Sequence, residues 1–270
     1  MSVGVLFPGQ GAQYEGMGKD WCEAFDEARA TFAEASEALG FSLEEACWAR
    51  GDEVNRTDVA QPGILTTSVA VMRVLRERGQ APDPVAMTAG LSLGEYTALW
   101  LAGSLEFADA VRLVRIRGEA MQAASEARPS SMVSLMGASE EQARALAAVG
   151  AEQGICSVAN LNAPGQVIVS GELAALDAVE AAAREHGVRR TRRLVVAGAF
   201  HSECMRPAAE RLAAALADVP IREPGVPFVT NVTGEPVRDP ERIREHLAAQ
   251  VCSPVLWERS MRWALAQGVG

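Results

Sequence analysis

Val85-Ala86-Met87-Thr88-Ala89-Gly90-Leu91-Ser92-Leu93-Gly94-Glu95-Tyr96-Thr97-Ala98-Leu99-Trp100-Leu101 decides the fold class of this chain. A short apolar run enters a Gly-x-Ser-x-Gly turn and leaves it as a helix-forming run, the pattern of a nucleophile elbow. Such a turn forces a serine into strained backbone and leaves its hydroxyl clear at the end of a buried strand. A Cβ at position 90 or 94 would collide with the neighbouring strand or helix, which accounts for both glycines. The helix, opening at Leu93 or Gly94, turns unpaired N–H groups and the positive end of its dipole toward that hydroxyl. An oxyanion forming on an attacked carbonyl would be stabilised there. In a chain with 24 glycines the five-residue turn alone is a weak signal, and a structural turn that happens to hold a serine reads from it too. The strand before it and the helix after it favour the elbow.

Composition narrows the class. The 270 residues are 49% hydrophobic and 22% charged, which predicts a globular protein of one large domain, or one domain with an insert. No apolar run reaches membrane-spanning length, and Met1-Ser2-Val3-Gly4-Val5 lacks a basic segment before an apolar core, so neither a membrane helix nor a signal peptide is expected. Cys22, Cys47, Cys156, Cys204 and Cys252 are scattered and odd in number, and His186, His201 and His246 make no ligand spacing. Neither a disulfide framework nor a metal site is predicted, which suits a reducing cytoplasm. A net charge of −10 argues against nucleic acid as a partner.

Around the elbow the chain alternates. Val3 to Phe7 reads as a buried strand running into Pro8-Gly9-Gln10-Gly11-Ala12-Gln13, a loop with neither a G-x-G-x-x-G nor a P-loop lysine. Helices are expected over Asp26 to Leu39, over Val59 to Arg78 entered through Gln61-Pro62, and over Phe107 to Ala124. On the last of these, Arg117 shares an apolar stripe with Leu113 and Met121, away from Arg115. A guanidinium on a buried stripe needs a partner, either an internal salt bridge or an anionic substrate.

From Ser130 the pattern changes to βαββαβ. Strands are predicted over Met132 to Met136, Ile155 to Asn160, Gln166 to Ser170 and Arg189 to Val196. The helices lie from a Ser139-x-x-Gln142 capping box to Val149 and over Glu172 to His186. This order predicts a ferredoxin-like subdomain, residues 129–196, inserted into an α/β large subdomain with a parallel sheet, residues 1–128 and 197–270. The large part resumes at Ala197-Gly198-Ala199-Phe200-His201-Ser202, with a helix near Met205 to Ala217, a strand at Val226 to Thr230, and helices around Ile243 to Gln250 and Trp257 to Gln267. A serine nucleophile needs a base. His186 and His246 fit surface positions, whereas His201 lies where the chain re-enters the main sheet, and no acidic residue is an obvious third member. A backbone or amide carbonyl is the remaining means of orienting it.

With these residues in place the chain resembles the malonyl-CoA:acyl-carrier-protein transacylases and the acyltransferase domains of polyketide synthases. Phe7 to Gln13, Gly90 to Tyr96, Arg115-Ile116-Arg117-Gly118, Ala159 to Gln166 and Gly198 to Ser202 match the family's five motifs in order, so the resemblance covers essentially the whole chain. It implies a hydrolase-like large subdomain, the ferredoxin-like small one, and a substrate cleft between them. It implies a ping-pong transfer in which Ser92, with His201 as base, takes malonyl from coenzyme A and yields it to the phosphopantetheine thiol of an acyl carrier protein. No cofactor beyond the coenzyme A thioester is implied. Backbone N–H groups of Gln10 and Leu93 would form the oxyanion hole, and a carbonyl near Gln250 would orient His201. Arg117 would hold the malonyl carboxylate, with Met121 beside it and Phe200 excluding a branched acyl chain. A hydrolase using the same pair is the alternative.

Two departures stand out. The family usually has histidine before the serine, where this chain has Leu91, which implies an altered rate and not lost chemistry. The family's acidic-Gly-Pro-Gly segment near the C-terminus is absent from a chain that stops at Gly270, which implies a trimmed or disordered tail.

Overall fold

Three strands run parallel at the centre of the larger half: β1 (Val3–Phe7), β2 (Val85–Gly90) and, much later in the chain, Phe228–Val229. The structure is a computed structural model and describes residues 2–270. Because the strands are parallel, their carboxyl ends open at one edge, the place where α/β sheets collect functional groups. The elbow at 90–94, the loop after Phe7 and the segment after Val229 therefore meet.

Between β1 and β2 come α1 (Lys19–Ala24), α2 (Asp26–Leu39), α3 (Leu43–Trp48) and α4 (Thr57–Glu77). After β2 follow α5 (Gly94–Leu101) and α6 (Phe107–Ala127). The short helices α1 and α3 escape the sequence reading because six residues carry too little periodicity to register. Helix α4 also begins earlier than predicted, at Thr57, with Pro62 inside it instead of at its entrance. Proline cannot donate to the carbonyl four residues back. That carbonyl belongs to Asp58, and Arg115 of α6 supplies the missing donor at 2.7 Å. Gly118 lets the two helices approach, since a Cβ there would sit 2.6 Å from the Thr57 carbonyl oxygen.

The second sheet comprises β3 (Ser130–Ala138), β4 (Cys156–Ala163), β5 (Gly165–Glu172) and β6 (Arg190–Arg193), with α7 (Glu140–Ala151) and α8 (Leu173–Ala182) packed on it. Its spatial order is β4-β5-β3-β6 with every neighbouring pair antiparallel, the ferredoxin-like arrangement that the element order predicts. The capping box is present: the Ser139 hydroxyl accepts from the Gln142 backbone at 3.2 Å, and the Gln142 side chain accepts from the Ser139 N–H at 2.9 Å. Two ends are shorter than predicted. Helix α8 stops at Ala182, and β6 stops at Arg193. After β6 the chain leaves the edge of the sheet and returns to α6, which it meets so closely that a Cβ on Gly198 would lie 2.3 Å from the Ser125 hydroxyl.

The chain then forms a 3-10 turn (Glu203–Met205), α9 (Arg206–Ala217), β7 (Phe228–Val229), β8 (Pro236–Val237), α10 (Pro240–Gln250) and α11 (Trp257–Ala266). Strand β8 pairs antiparallel to β7 and completes the order β1-β2-β7-β8. Val255, between α10 and α11, ties the halves together by donating to Ala159 at 2.8 Å and accepting from Leu161 at 2.9 Å. No described helix is long and apolar enough to cross a membrane. Among the described residues no group of three or more potential metal ligands converges.

Candidate active site

Ser92 and His201 are the non-glycine residues with positive φ among the described residues, +51° and +59°. Each such conformation costs about 1–3 kcal/mol and persists only where its surroundings over-determine it. At Ser92 they do. The Asn231 side chain accepts the Ser92 N–H at 2.6 Å and donates to the Gly90 carbonyl at 2.8 Å, while Gln250 Nε2 donates to the Ser92 carbonyl at 2.9 Å. Both elbow glycines are required by contact. A Cβ on Gly90 would lie 1.9 Å from the Gly94 carbonyl carbon, and one on Gly94 would lie 2.5 Å from the Phe7 carbonyl oxygen.

The strained pair face each other, Ser92 Oγ 2.9 Å from His201 Nε2. The other ring nitrogen, Nδ1, is 2.8 Å from the backbone carbonyl oxygen of Gln250. A carbonyl only accepts, so Nδ1 carries the proton and Nε2 presents its lone pair to the serine hydroxyl. Burial, and then the positive charge of Arg117, push the His201 pKa down to about 4, so the imidazole is neutral near pH 7. This carbonyl stands where a triad would place a carboxylate.

Arg117 is 1% exposed on α6. Its guanidinium donates to Gln61 Oε1 at 2.8 Å, to Gln250 Oε1 at 3.0 Å and to Ser92 Oγ at 2.9 Å, and its Nε–H has no partner. No carboxylate lies within ion-pair distance of it among the described residues, so the internal salt bridge considered from the sequence does not form. The nearest buried carboxylate, Glu95, has its oxygens turned to Asn231 and Gln250. Two amide oxygens and a hydroxyl, all neutral, take the terminal N–H groups of Arg117 while its Nε–H stays unpartnered, and burial lowers its pKa.

The loop after β1 lies against the elbow. Leu91 N–H donates to the Phe7 carbonyl at 3.0 Å, and a Cβ on Gly9 would lie 2.5 Å from the Leu91 carbonyl oxygen. This contact brings Gln10 beside Ser92 in one cleft, and the backbone N–H groups of Gln10 and Leu93 make no hydrogen bond among the described residues. The cleft measures about 770 Å³ and lies between the two sheets. Gln10, Leu91, Ser92, Arg117, Met121, Phe200 and His201 line one side, and Met132, Asn160, Asn162 and the stretch 194–197 the other. Gln250 lies beneath, fully buried. All eight residues singled out from the sequence therefore converge on one place. Gln61, Glu95 and Asn231 join them unpredicted.

A family model described as acyl transferase domain matches residues 5–269. The chain belongs to the acyl transferase family. It is 41% identical over 270 residues to the malonyl CoA-acyl carrier protein transacylase of Bacillus subtilis, covering 99% of this chain and 84% of that protein. Among solved structures, the acyl-carrier-protein-S-malonyltransferase of Bartonella henselae superposes with a TM-score of 0.93 at 39% identity, over 100% of this chain and 86% of the other. A malonyl-transacylase solved in complex with its type II PKS acyl-carrier protein gives 0.94 at 36% identity, over 100% and 87%. In this acyltransferase the sequence reading missed three polar groups for a common reason. Each acts through contacts with other elements of the fold, which no local pattern marks. Glu95 gave the plainest sign, as the one charged residue of α5.

Proposed function

We propose that this acyltransferase moves a malonyl group from coenzyme A to the phosphopantetheine thiol of an acyl carrier protein through a malonyl-Ser92 intermediate. The observation that carries the reading is the buried guanidinium of Arg117, in ion-pair contact with no carboxylate among the described residues and 2.9 Å from the hydroxyl that His201 also holds. An acyl group whose far end is a carboxylate supplies the missing anion, in a plane that matches the guanidinium fork. The relatives' names point to the same acyl group.

In the first half-reaction Ser92 Oγ attacks the thioester carbonyl as His201 Nε2 takes its proton. The Gln250 carbonyl, accepting from Nδ1, stabilises the imidazolium that forms. The tetrahedral oxyanion meets the free N–H groups of Gln10 and Leu93. Collapse expels the coenzyme A thiolate, which takes the proton back from His201. In the second half-reaction the carrier's thiol loses its proton to His201, attacks the acyl-serine, and the steps reverse. Arg117 leaves Ser92 Oγ for the malonyl carboxylate, which both binds the acyl group and frees the nucleophile's lone pair.

Intact-mass spectrometry tests this reading directly. Malonyl-CoA is expected to add one malonyl group to the wild type and none to Ser92→Ala, and a carrier protein bearing phosphopantetheine should remove it. Loading that survives Ser92→Ala overturns the mechanism. Rapid release of free malonate with no carrier present would instead mark a hydrolase.

A further inference from the structure

Glu95 is fully buried one position beyond the start of α5. A buried carboxylate is costly unless its oxygens find donors. One oxygen accepts the Asn231 backbone N–H at 2.6 Å, and the other accepts from Gln250 Nε2. The same Gln250 nitrogen donates to the Ser92 carbonyl, and the oxygen of that amide accepts from Arg117 at 3.0 Å. An amide side chain has donors at one end and an acceptor at the other. The carboxylate therefore decides which end of Gln250 faces Arg117.

We infer that Glu95 is a positioning residue: by holding Gln250 Nε2 it keeps the amide oxygen on Arg117, and so keeps the guanidinium fork set for the carboxylate of the acyl group. This rests on the malonyl-transfer reading above. Glu95 has a second arm, through Asn231 to the Ser92 backbone, which acts on every acyl group alike. The Gln250–Arg117 contact acts only on acyl groups that carry an anion, whereas the Gln250 donation to the Ser92 carbonyl acts, like the second arm, on every acyl group. The two effects are thus separable by substrate.

The surroundings of Glu95 allow a second readout. Arg117 on α6 is the charged group that faces it. Asn231 after β7 and Gln250 at the end of α10 are neutral donors, the Thr230 hydroxyl is a neutral neighbour, and Tyr96 follows it on α5. Burial raises the Glu95 pKa to about 7 against the lowering effect of those donors and of Arg117. Once protonated, the carboxyl presents an O–H where the anion accepted, and the Gln250 amide loses one of the two acceptors that fix its sense, keeping only the Ser92 carbonyl. His201, with its pKa near 4, stays neutral over the same range and contributes nothing to that transition.

The test is kcat/KM for malonyl-CoA and for acetyl-CoA, in wild type and Glu95→Gln, from about pH 6 to about pH 8. Glu95→Gln keeps the shape but offers one acceptor to two donors, so Gln250 Nε2 and the Asn231 N–H can no longer both be held. The malonyl-to-acetyl ratio is expected to fall about ten- to a hundredfold, mostly through a higher KM for malonyl-CoA. In the wild type the ratio should fall as pH drops through about 7, and in Glu95→Gln it should be flat. Equal losses on both substrates at every pH would overturn the inference. Should Glu95→Gln fail to fold, the wild-type series decides alone, and a ratio that is level across that range overturns it. Failure of the underlying reading looks different: the wild type would then take no malonyl on Ser92 at any pH.

Discussion

The two sheets are built on opposite principles. The antiparallel sheet packs α7 and α8 over an apolar core that includes Val133, Leu135, Val158, Val169, Leu176 and Val179. Its ion pairs, such as Arg193 with Asp177 and Arg144 with Glu140, stay at the surface. The half around the parallel sheet contains every buried aspartate, glutamate, arginine and histidine among the described residues: Asp58, Glu95, Arg117 and His201. It also holds both strained non-glycine residues. Burying charge and strain costs stability, so their concentration at one sheet edge marks where folding has been subordinated to chemistry. The other half supplies a wall, and its packing can be regular because nothing reactive hangs from it.

Substitutions in the two halves should therefore fail differently. The largest expected effect is on the reactive side. His201→Ala removes the base and should slow malonyl loading by about three to four orders of magnitude with little loss of stability, as followed by quenched-flow mass spectrometry. A wild-type rate in that variant would break the contrast. On the wall side, Leu135→Ala should cost about 2–5 kcal/mol in urea unfolding while leaving the malonyl-to-acetyl preference unchanged. A shifted preference would show that the second sheet tunes the site instead of enclosing it. Smaller still is the effect at the seam. Phe200 is 7% exposed and lines the cleft beside His201, where its ring is expected to crowd an added methyl on the acyl α-carbon. The wild type should load malonyl well ahead of methylmalonyl, and Phe200→Ser should narrow that gap by about tenfold in competition loading.

The same contrast explains what could be read from the sequence. The antiparallel half announces itself through local signals: the short apolar run of β3, a capping box at Ser139, and a turn at Gly165 with φ +76°. The elbow is equally legible, because its strand, turn and helix follow one another in a single short stretch, although the contact that requires Gly94 is with the distant Phe7 carbonyl. Arg117 was visible as a charge on an apolar stripe, but its partners were not. Gln61, Gln250 and Ser92 come from three separate elements, and only folding brings them together. Pro62 misled for a related reason. Its helix tolerates it because Arg115 replaces the lost donor from another helix, a compensation no local pattern reveals. The orienting group of His201 came from the family resemblance, as a carbonyl near Gln250, and not from local pattern, because any residue can offer a backbone carbonyl.

In the proposed mechanism Arg117 selects the acyl group while Ser92 and His201 carry out the transfer. The most direct measurement is the ratio of kcat/KM for malonyl-CoA to that for acetyl-CoA in wild type, Arg117→Ala and Arg117→Lys. A charge-assisted, two-pronged contact shielded from water contributes on the order of 2–4 kcal/mol, so the ratio should drop about thirty- to a thousandfold in Arg117→Ala. Arg117→Lys should recover little, since an ammonium cannot reproduce the planar fork. Acetyl-CoA turnover should hold or rise as the unbalanced charge leaves the site. An unchanged ratio would contradict the claim and reduce Arg117 to a structural donor for Gln61 and Gln250.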